Sequence, residues 1–292
     1  MTSTFDAFLR QAWADHADHA QAVAQRLRIE TPAPESAKQL AALIPFVVHL
    51  CGEHLGNFDD ARWRLAALQR HPLADAGVQS ALRTGDAALT LAESGIAVCE
   101  GFTPEERVRS EASAAAICIG RKQTARAMSL LRTARERIAT WPDAGSAIHR
   151  PLAIASNNMM WELHDRADTR SAADTAAMLD IAAACKLHWS HAGTWLEVER
   201  ADYGLALCHL SAREPKKAAA FAEQCLAACE QHAAPPYEQF FAHEALTRAC
   251  HACGDGAACA RHALLAEAAF MRLSSDDQEG CRPALARLKA LA

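Results

Sequence analysis

Gly56-Asn57-Phe58-Asp59-Asp60-Ala61, Gly120-Arg121-Lys122-Gln123-Thr124-Ala125 and Gly254-Asp255-Gly256-Ala257-Ala258-Cys259 share one pattern, a glycine with a small residue five positions on. Each lies where one helix-forming stretch gives way to the next. Degenerate copies run from Ala167 to Ala172 and from Arg213 to Ala218, and a shortened one begins at Gly85-Asp86. Glycine relaxes the tight turn between two antiparallel helices. The small residue lets the second helix close on the first. A chain assembled from such units is expected to be all-α, a helical solenoid of about six antiparallel pairs. Solenoids ordinarily hold other molecules rather than transform them.

Composition agrees with that class. The 292 residues are about half apolar and roughly a quarter alanine. Alanine is the best helix former and is buried without loss of side-chain entropy. Tyrosine occurs only at 203 and 237, and runs of β-branched residues are nearly absent. The net charge of −5 is spread without blocks. No basic face of the kind that marks a nucleic-acid binder is evident. The start of the chain lacks the charged and apolar regions of an export signal. The longest apolar stretch, Ala41 to Leu50, is broken by Pro45 and His49 and is too short to span a bilayer. Eleven cysteines, an odd number, lie mostly in helical patterns. They read as reduced, buried small residues of a cytoplasmic protein.

Helix signals order the chain as one repeat domain over 1–292: an N-terminal helix within 1–34, helix pairs over 35–273, and a capping helix within 274–292. The first helix is expected to bury Phe5, Phe8, Leu9, Trp13, Ala20, Val23 and Leu27. The pairs fall at 35–54 and 58–70, 73–84 and 86–98, 104–119 and 122–140, 146–165 and 170–188, 192–211 and 215–231, and 236–253 and 256–273. Pro45 removes a backbone donor and is expected to kink its helix. Thr103-Pro104-Glu105-Glu106 is the clearest helix start, with Thr103 as cap and Glu106 returning the bond. Trp141-Pro142 and Pro235-Pro236 punctuate the later pairs. Arg282, Arg287 and Lys289 suit the wetted face of a terminal cap.

Gly56-Asn57-Phe58-Asp59-Asp60-Ala61-Arg62-Trp63-Arg64-Leu65-Ala66-Ala67-Leu68-Gln69-Arg70-His71-Pro72 resembles the second half of a tetratricopeptide repeat, with one residue missing before the proline. The stretch Leu205 to Ala218 resembles the turn region of long-helix relatives, found in bacterial transcription regulators of the maltose-regulator and peptide-sensing types. The resemblance implies a right-handed superhelix. It also implies that the first helix of each pair lines a concave groove. No DNA-binding or catalytic domain is recognisable beside the repeats.

On that groove the fourth pair presents Asn157, Trp161 and His164, the fifth Arg200, Tyr203 and Leu207, and the sixth Glu244, Arg248 and His251. An asparagine amide can bond both N–H and C=O of an extended peptide. Trp161 and Tyr203 offer flat contact area with a polar handle. Arg200 and Arg248 suit a carboxylate. The plainer reading makes these surface residues, with Trp161 in the core between repeats. The expected function is a non-catalytic scaffold for a protein or peptide partner, without cofactor and without direct contact to nucleic acid or membrane. One alternative is the sensing half of a transcription regulator whose output lies on another chain. A second is a metalloprotein or small-molecule enzyme built on the Cys- and His-rich C-terminal half. There, Cys250, Cys253, Cys259 and His262 have the number and softness of a zinc set. Repeat packing explains Cys259 and the Gly254 turn without metal, so no metal is assigned. Cys225 and Cys229, one turn apart, read as buried packing. His16 and His19, flanked by Asp15 and Asp18, read as a solvated face or a weak surface metal site. Phosphate-loop, dinucleotide and zinc-protease motifs are absent.

Overall fold

A computed structural model of the chain describes residues 3–141, 145–167 and 169–291. Helix makes up 81% of the chain, and no strand occurs among the described residues. The helices are α1 (Thr4–Ile29), α2 (Ala37–Val47), α3 (Phe58–Gln69), α4 (Ala76–Ser94), α5 (Pro104–Gly120), α6 (Thr124–Ala139), α7 (Ser146–His164), α8 (Ala172–Ala192), α9 (Trp195–Ser211), α10 (Pro215–Gln231), α11 (Pro236–Cys253), α12 (Gly256–Phe270) and α13 (Ser275–Leu291). A π-helical segment, Val48–His54, continues α2. None of the described helices is long and apolar enough to cross a membrane. The contacts gather into two compact units, Met1–Ala144 and Gly145–Ala292. Pro142, after Trp141 at the end of the third expected pair, lies outside the described residues.

Local chemistry accounts for most of the helix ends. Ser3, Ser36, Asn57, Asp75, Thr103, Ser171, Thr194 and Asp255 each accept a backbone N–H of the first turn they precede. At Thr103 the reciprocal bond from Glu106 completes the capping box, with Pro104 in the first position.

Four turns repeat one geometry. Gly56, Lys122, Arg213 and Gly254 are left-handed, at φ 62°, 59°, 61° and 77°. The next residue in each, Asn57, Gln123, Glu214 or Asp255, opens the following helix. Its N–H returns to the carbonyl five residues earlier, at Cys118, His209 and Cys250, and six residues earlier, at Cys51, in the turn that follows the π segment. Five residues after each left-handed residue stands a buried small one: Ala61, Ala127, Ala218 and Cys259. The expected spacing is therefore present, but at the second turn it starts on Lys122 and not on Gly120. Gly120 ends α5, and Ala125 is exposed. Ala172, expected at a close contact, is the first residue of α8 and is also exposed.

Gly85 makes no turn. The two short helices expected at 73–84 and 86–98 are the single helix α4, and Gly85 is buried within it. The inward spacing of Val78, Leu82, Leu89 and Ala92 runs through the glycine without a break. A Cβ at 85 would lie 3.0 Å from Val48 and 3.4 Å from Ile44, so the glycine serves close helix packing.

In the first unit, α5 packs against α4, α6 and the π segment, while α2 packs against α4 and α1. Phe5, Leu40, Ile44, Phe46, Leu50, Leu89 and Ile117 are fully buried. Trp13, expected inside, is 39% exposed. Its ring instead covers Phe46 and His49, at centroid distances of 4.7 and 5.1 Å. Beyond Pro45 the helix continues, and its winding changes to π at Val48.

In the second unit, α8 packs against α7 and α9, α10 against α9 and α11, and α12 against α11 and α13. α9 also touches α7 and α11. Ala206, Ala222, Ala245 and Leu246 form one small-residue core, and Phe240, Ala266, Phe270 and Leu288 another under α13. Arg282, Arg287 and Lys289 face outward from α13.

Candidate functional site

Unit 2 joins four of the expected groove residues across α7, α9 and α11. Gly204 makes the approach of α7 to α9 possible, since a Cβ there would lie 2.7 Å from Met160 Cε. Beside it, the rings of Trp161 and Tyr203 stand 6.5 Å apart. Tyr203 donates its hydroxyl to Glu244 Oε2 at 3.1 Å, and Arg248 donates to Glu244 Oε1 at 2.9 Å. Glu244 is 2% exposed, so two donors compensate a charge that water does not reach. Burial, then the charge of Glu244, push the Tyr203 phenol well above its ordinary range. Phe241 packs edge-on against the same ring at 5.6 Å.

The remaining expected residues have other surroundings. Asn157 and Trp161 lie one turn apart on α7, both half-buried. The Asn157 amide contacts the Asn158 oxygen at 3.5 Å. His164 packs edge-on to Trp161 at 5.2 Å. Arg200 is exposed but grips the buried Glu238 with two nitrogens, at 2.5 and 3.3 Å. Leu207 is buried, and His251 is exposed in the last turn of α11. Both arginines expected to receive a partner's carboxylate are thus balanced by carboxylates of the chain itself.

Sequence reading missed Glu199, which is 1% exposed on α9. Cys225 donates to its Oε1 at 2.7 Å and Cys229 at 3.6 Å. Its Oε2 is buried without a hydrogen-bond partner. Burial raises the Glu199 pKa; the Cys225 bond opposes this, and the nearby charge of Glu238 adds to it. Asp202, one turn on, is buried against Lys186 at 2.6 Å. The available signal was two acids one turn apart, Glu199 and Asp202, on the same side of α9 as Ala206.

Cys225 and Cys229 are buried, as expected, and all eleven cysteines are free thiols. The Cys250, Cys253, Cys259 and His262 set is dispersed. Cys259 turns to the Leu291 carbonyl at 3.7 Å, His262 meets His243 at 3.2 Å, and Cys253 is exposed. Among the described residues, three or more side chains of metal-binding type converge only at His16, His49 and His54 in the first unit. His19, expected beside His16, is exposed and lies outside this cluster. No protein-family model, curated protein or solved structure matches this chain.

Proposed function

We propose that the second unit is a binding module. In this reading α7/α8, α9/α10 and α11/α12 are antiparallel pairs of a right-handed, tetratricopeptide-like solenoid. The face formed by α7, α9 and α11 holds an extended protein or peptide segment without changing it chemically. Support comes from the packing order, in which α9 touches both α7 and α11 while α8 and α10 each pack against two successive members of that row.

One observation carries the reading. Asn157 and Asn158 are adjacent, half-buried amides whose contact with each other is long, one turn from the Trp161–Tyr203–Glu244–Arg248 chain. Their hydrogen-bonding capacity is left for a backbone to use. The aromatic plates beside them are held in place before any partner arrives, which lowers the cost of ordering on binding. Because Arg200 and Arg248 are already paired, the occupant is anchored by amide and aromatic contacts, and no acidic group is required.

Peptides selected from a random displayed library against the purified full chain provide the test. Calorimetry on a selected peptide should show Asn157→Ala weakening binding by tenfold or more, about 1.4 kcal/mol, with Lys217→Ala on α10 unchanged. If nothing is selected, or if Lys217→Ala abolishes binding and Asn157→Ala does not, the reading fails.

A further inference from the structure

His16 lies on α1, while His49 and His54 lie on the π-helical segment. Their ligand nitrogens all fall within 4.8 Å of one another. Nε2 of His49 stands 2.8 Å from Nε2 of His16 and 3.1 Å from Nε2 of His54. The opposite nitrogens are already committed. His16 Nδ1 donates to the Trp13 carbonyl at 2.6 Å, and His49 Nδ1 donates to Glu53 Oε2 at 2.8 Å. A neutral imidazole has one N–H, so these two bonds leave both facing Nε2 atoms as bare lone pairs. Two lone pairs at that distance repel unless a cation lies between them. A proton serves one pair of nitrogens; a metal ion serves all three.

The local backbone is specialised for this convergence. In a π-helix the i→i+5 bond, here Leu55 N–H to Leu50 O at 3.1 Å, stacks residues five apart. It therefore sets His49 beside His54; an ordinary α-helix would splay them. Two glycines make room. A Cβ at Gly52 would lie 3.1 Å from Ile117, and one at Gly120 would clash with Glu53 Cγ. Glu53 can reach His49 because Gly120 has no side chain. A carboxylate fixing the far nitrogen of a ligating histidine is the ordinary support of a metal centre. Trp13 and Phe46 wall the inner side. On the outer side, residues 17–22 and His54 line an open hollow of about 440 Å³. α1 departs from helical geometry at His19, at φ −133° and ψ 39°, within the rim of that hollow.

We propose that His16, His49 and His54 bind one zinc ion through their Nε2 atoms, with the fourth position open to this hollow. Three imidazoles and an open position suit tetrahedral Zn²⁺, whose Zn–N distance of ~2.0–2.1 Å separates ligand nitrogens by roughly 3.3 Å. Small outward shifts of the rings accommodate it. The assignment is independent of the binding face in the second unit.

Zn²⁺ is titrated into the chelator-treated full chain in competition with a chromophoric chelator, and Co²⁺ binding is read in the visible spectrum. One ion per chain is expected, with the intense bands of tetrahedral cobalt. His16→Ala, His49→Ala and His54→Ala should each weaken binding at least 100-fold. Glu53→Gln should weaken it 10- to 100-fold. The Cys250→Ser, Cys253→Ser double variant should bind as the parent does. His16→Ala changes a half-buried residue of α1, so it decides the matter even where His49→Ala melts early. Absence of stoichiometric binding overturns the assignment. So does stoichiometric binding that survives His16→Ala and His54→Ala in folded protein, or that the cysteine variant abolishes.

Discussion

Arg213 and Gly254 occupy the same backbone position in two turns of the second unit. Both are left-handed, at φ 61° and 77°. Each precedes a helix N-terminal residue, Glu214 or Asp255, whose N–H returns to the carbonyl five residues earlier, at 2.9 Å in both turns. The turn demands the conformation, and the residue type only sets its cost. Glycine adopts it freely, whereas an L side chain is strained there.

Exchanging the two residue types should therefore move stability in opposite directions. Arg213→Gly is expected to stabilise by about 0.5 kcal/mol, because relief of strain outweighs the greater freedom of an unfolded glycine. Gly254→Ala should cost about 1 kcal/mol. Nothing lies within 4 Å of a Cβ at 254, so backbone strain alone is tested. Urea midpoints that shift the same way for both variants would contradict this account.

The second turn has two candidate contact residues, and the structure chooses between them. Ala127 is fully buried and Ala125 is exposed. Ala127→Leu should overpack α6 against α5 and cost ~1–3 kcal/mol. Ala125→Leu should change stability by less than about 0.5 kcal/mol. Thermal melts showing the reverse order would return the turn to Gly120.

Glu106 gives a pH-dependent term in stability. The Ser80 hydroxyl and the Thr103 N–H, with Arg83, hold its carboxyl down at about 2, below the ordinary 4.5. A depressed folded pKa contributes stability that is complete above the unfolded value and disappears as pH falls through the folded one. Glu106→Gln should thus cost on the order of 1–3 kcal/mol at pH 7. The gap should close as pH falls from 4.5 toward 2. A gap independent of pH would mean that packing dominates over charge.

Glu199 has the opposite sign. Burial raises its pKa, so the folded state holds the proton more tightly than the unfolded chain does. The parent therefore loses stability as pH rises from the unfolded carboxylate pKa through the raised folded value. Gln keeps an acceptor for Cys225 and carries no charge. Relative to the parent, Glu199→Gln should gain stability across that window, as the parent's carboxylate is forced to ionise in a buried place. Chemical denaturation at several pH values checks it, and a variant that is less stable above the window than below it would refute the assignment.

The candidate binding face was partly legible in sequence. Trp161, Tyr203, Glu244 and Arg248 were named from helical spacing, and they do meet across three helices. Their roles were less legible. Helical spacing gives the side of a helix but not what stands opposite, so the pairing of Arg200 on α9 with Glu238 on α11 is not legible, whereas Glu244 and Arg248 are an i,i+4 pair within α11 that the spacing does offer. Glu199 was missed for the same reason. Its partners, Cys225 and Cys229, lie on the next helix, and composition treats thiols as apolar filling.

By itself the sequence determined most of the helices and many of their ends. Caps such as Thr103 with Glu106, prolines in first turns, and alanine propensity all act within a turn or two of chain, where no distant neighbour is needed. Tertiary packing decided where that local code was ambiguous. Gly85 and Gly120 both carry a turn signal, yet each is used as empty space, for Val48 at one and Glu53 at the other. The left-handed residue then fell on Lys122, two positions on. The meeting of His16 with His49 and His54 belongs wholly to packing. It needs α1 laid against a segment wound i→i+5, in which a Cβ at Gly52 would crowd Ile117 and Leu89.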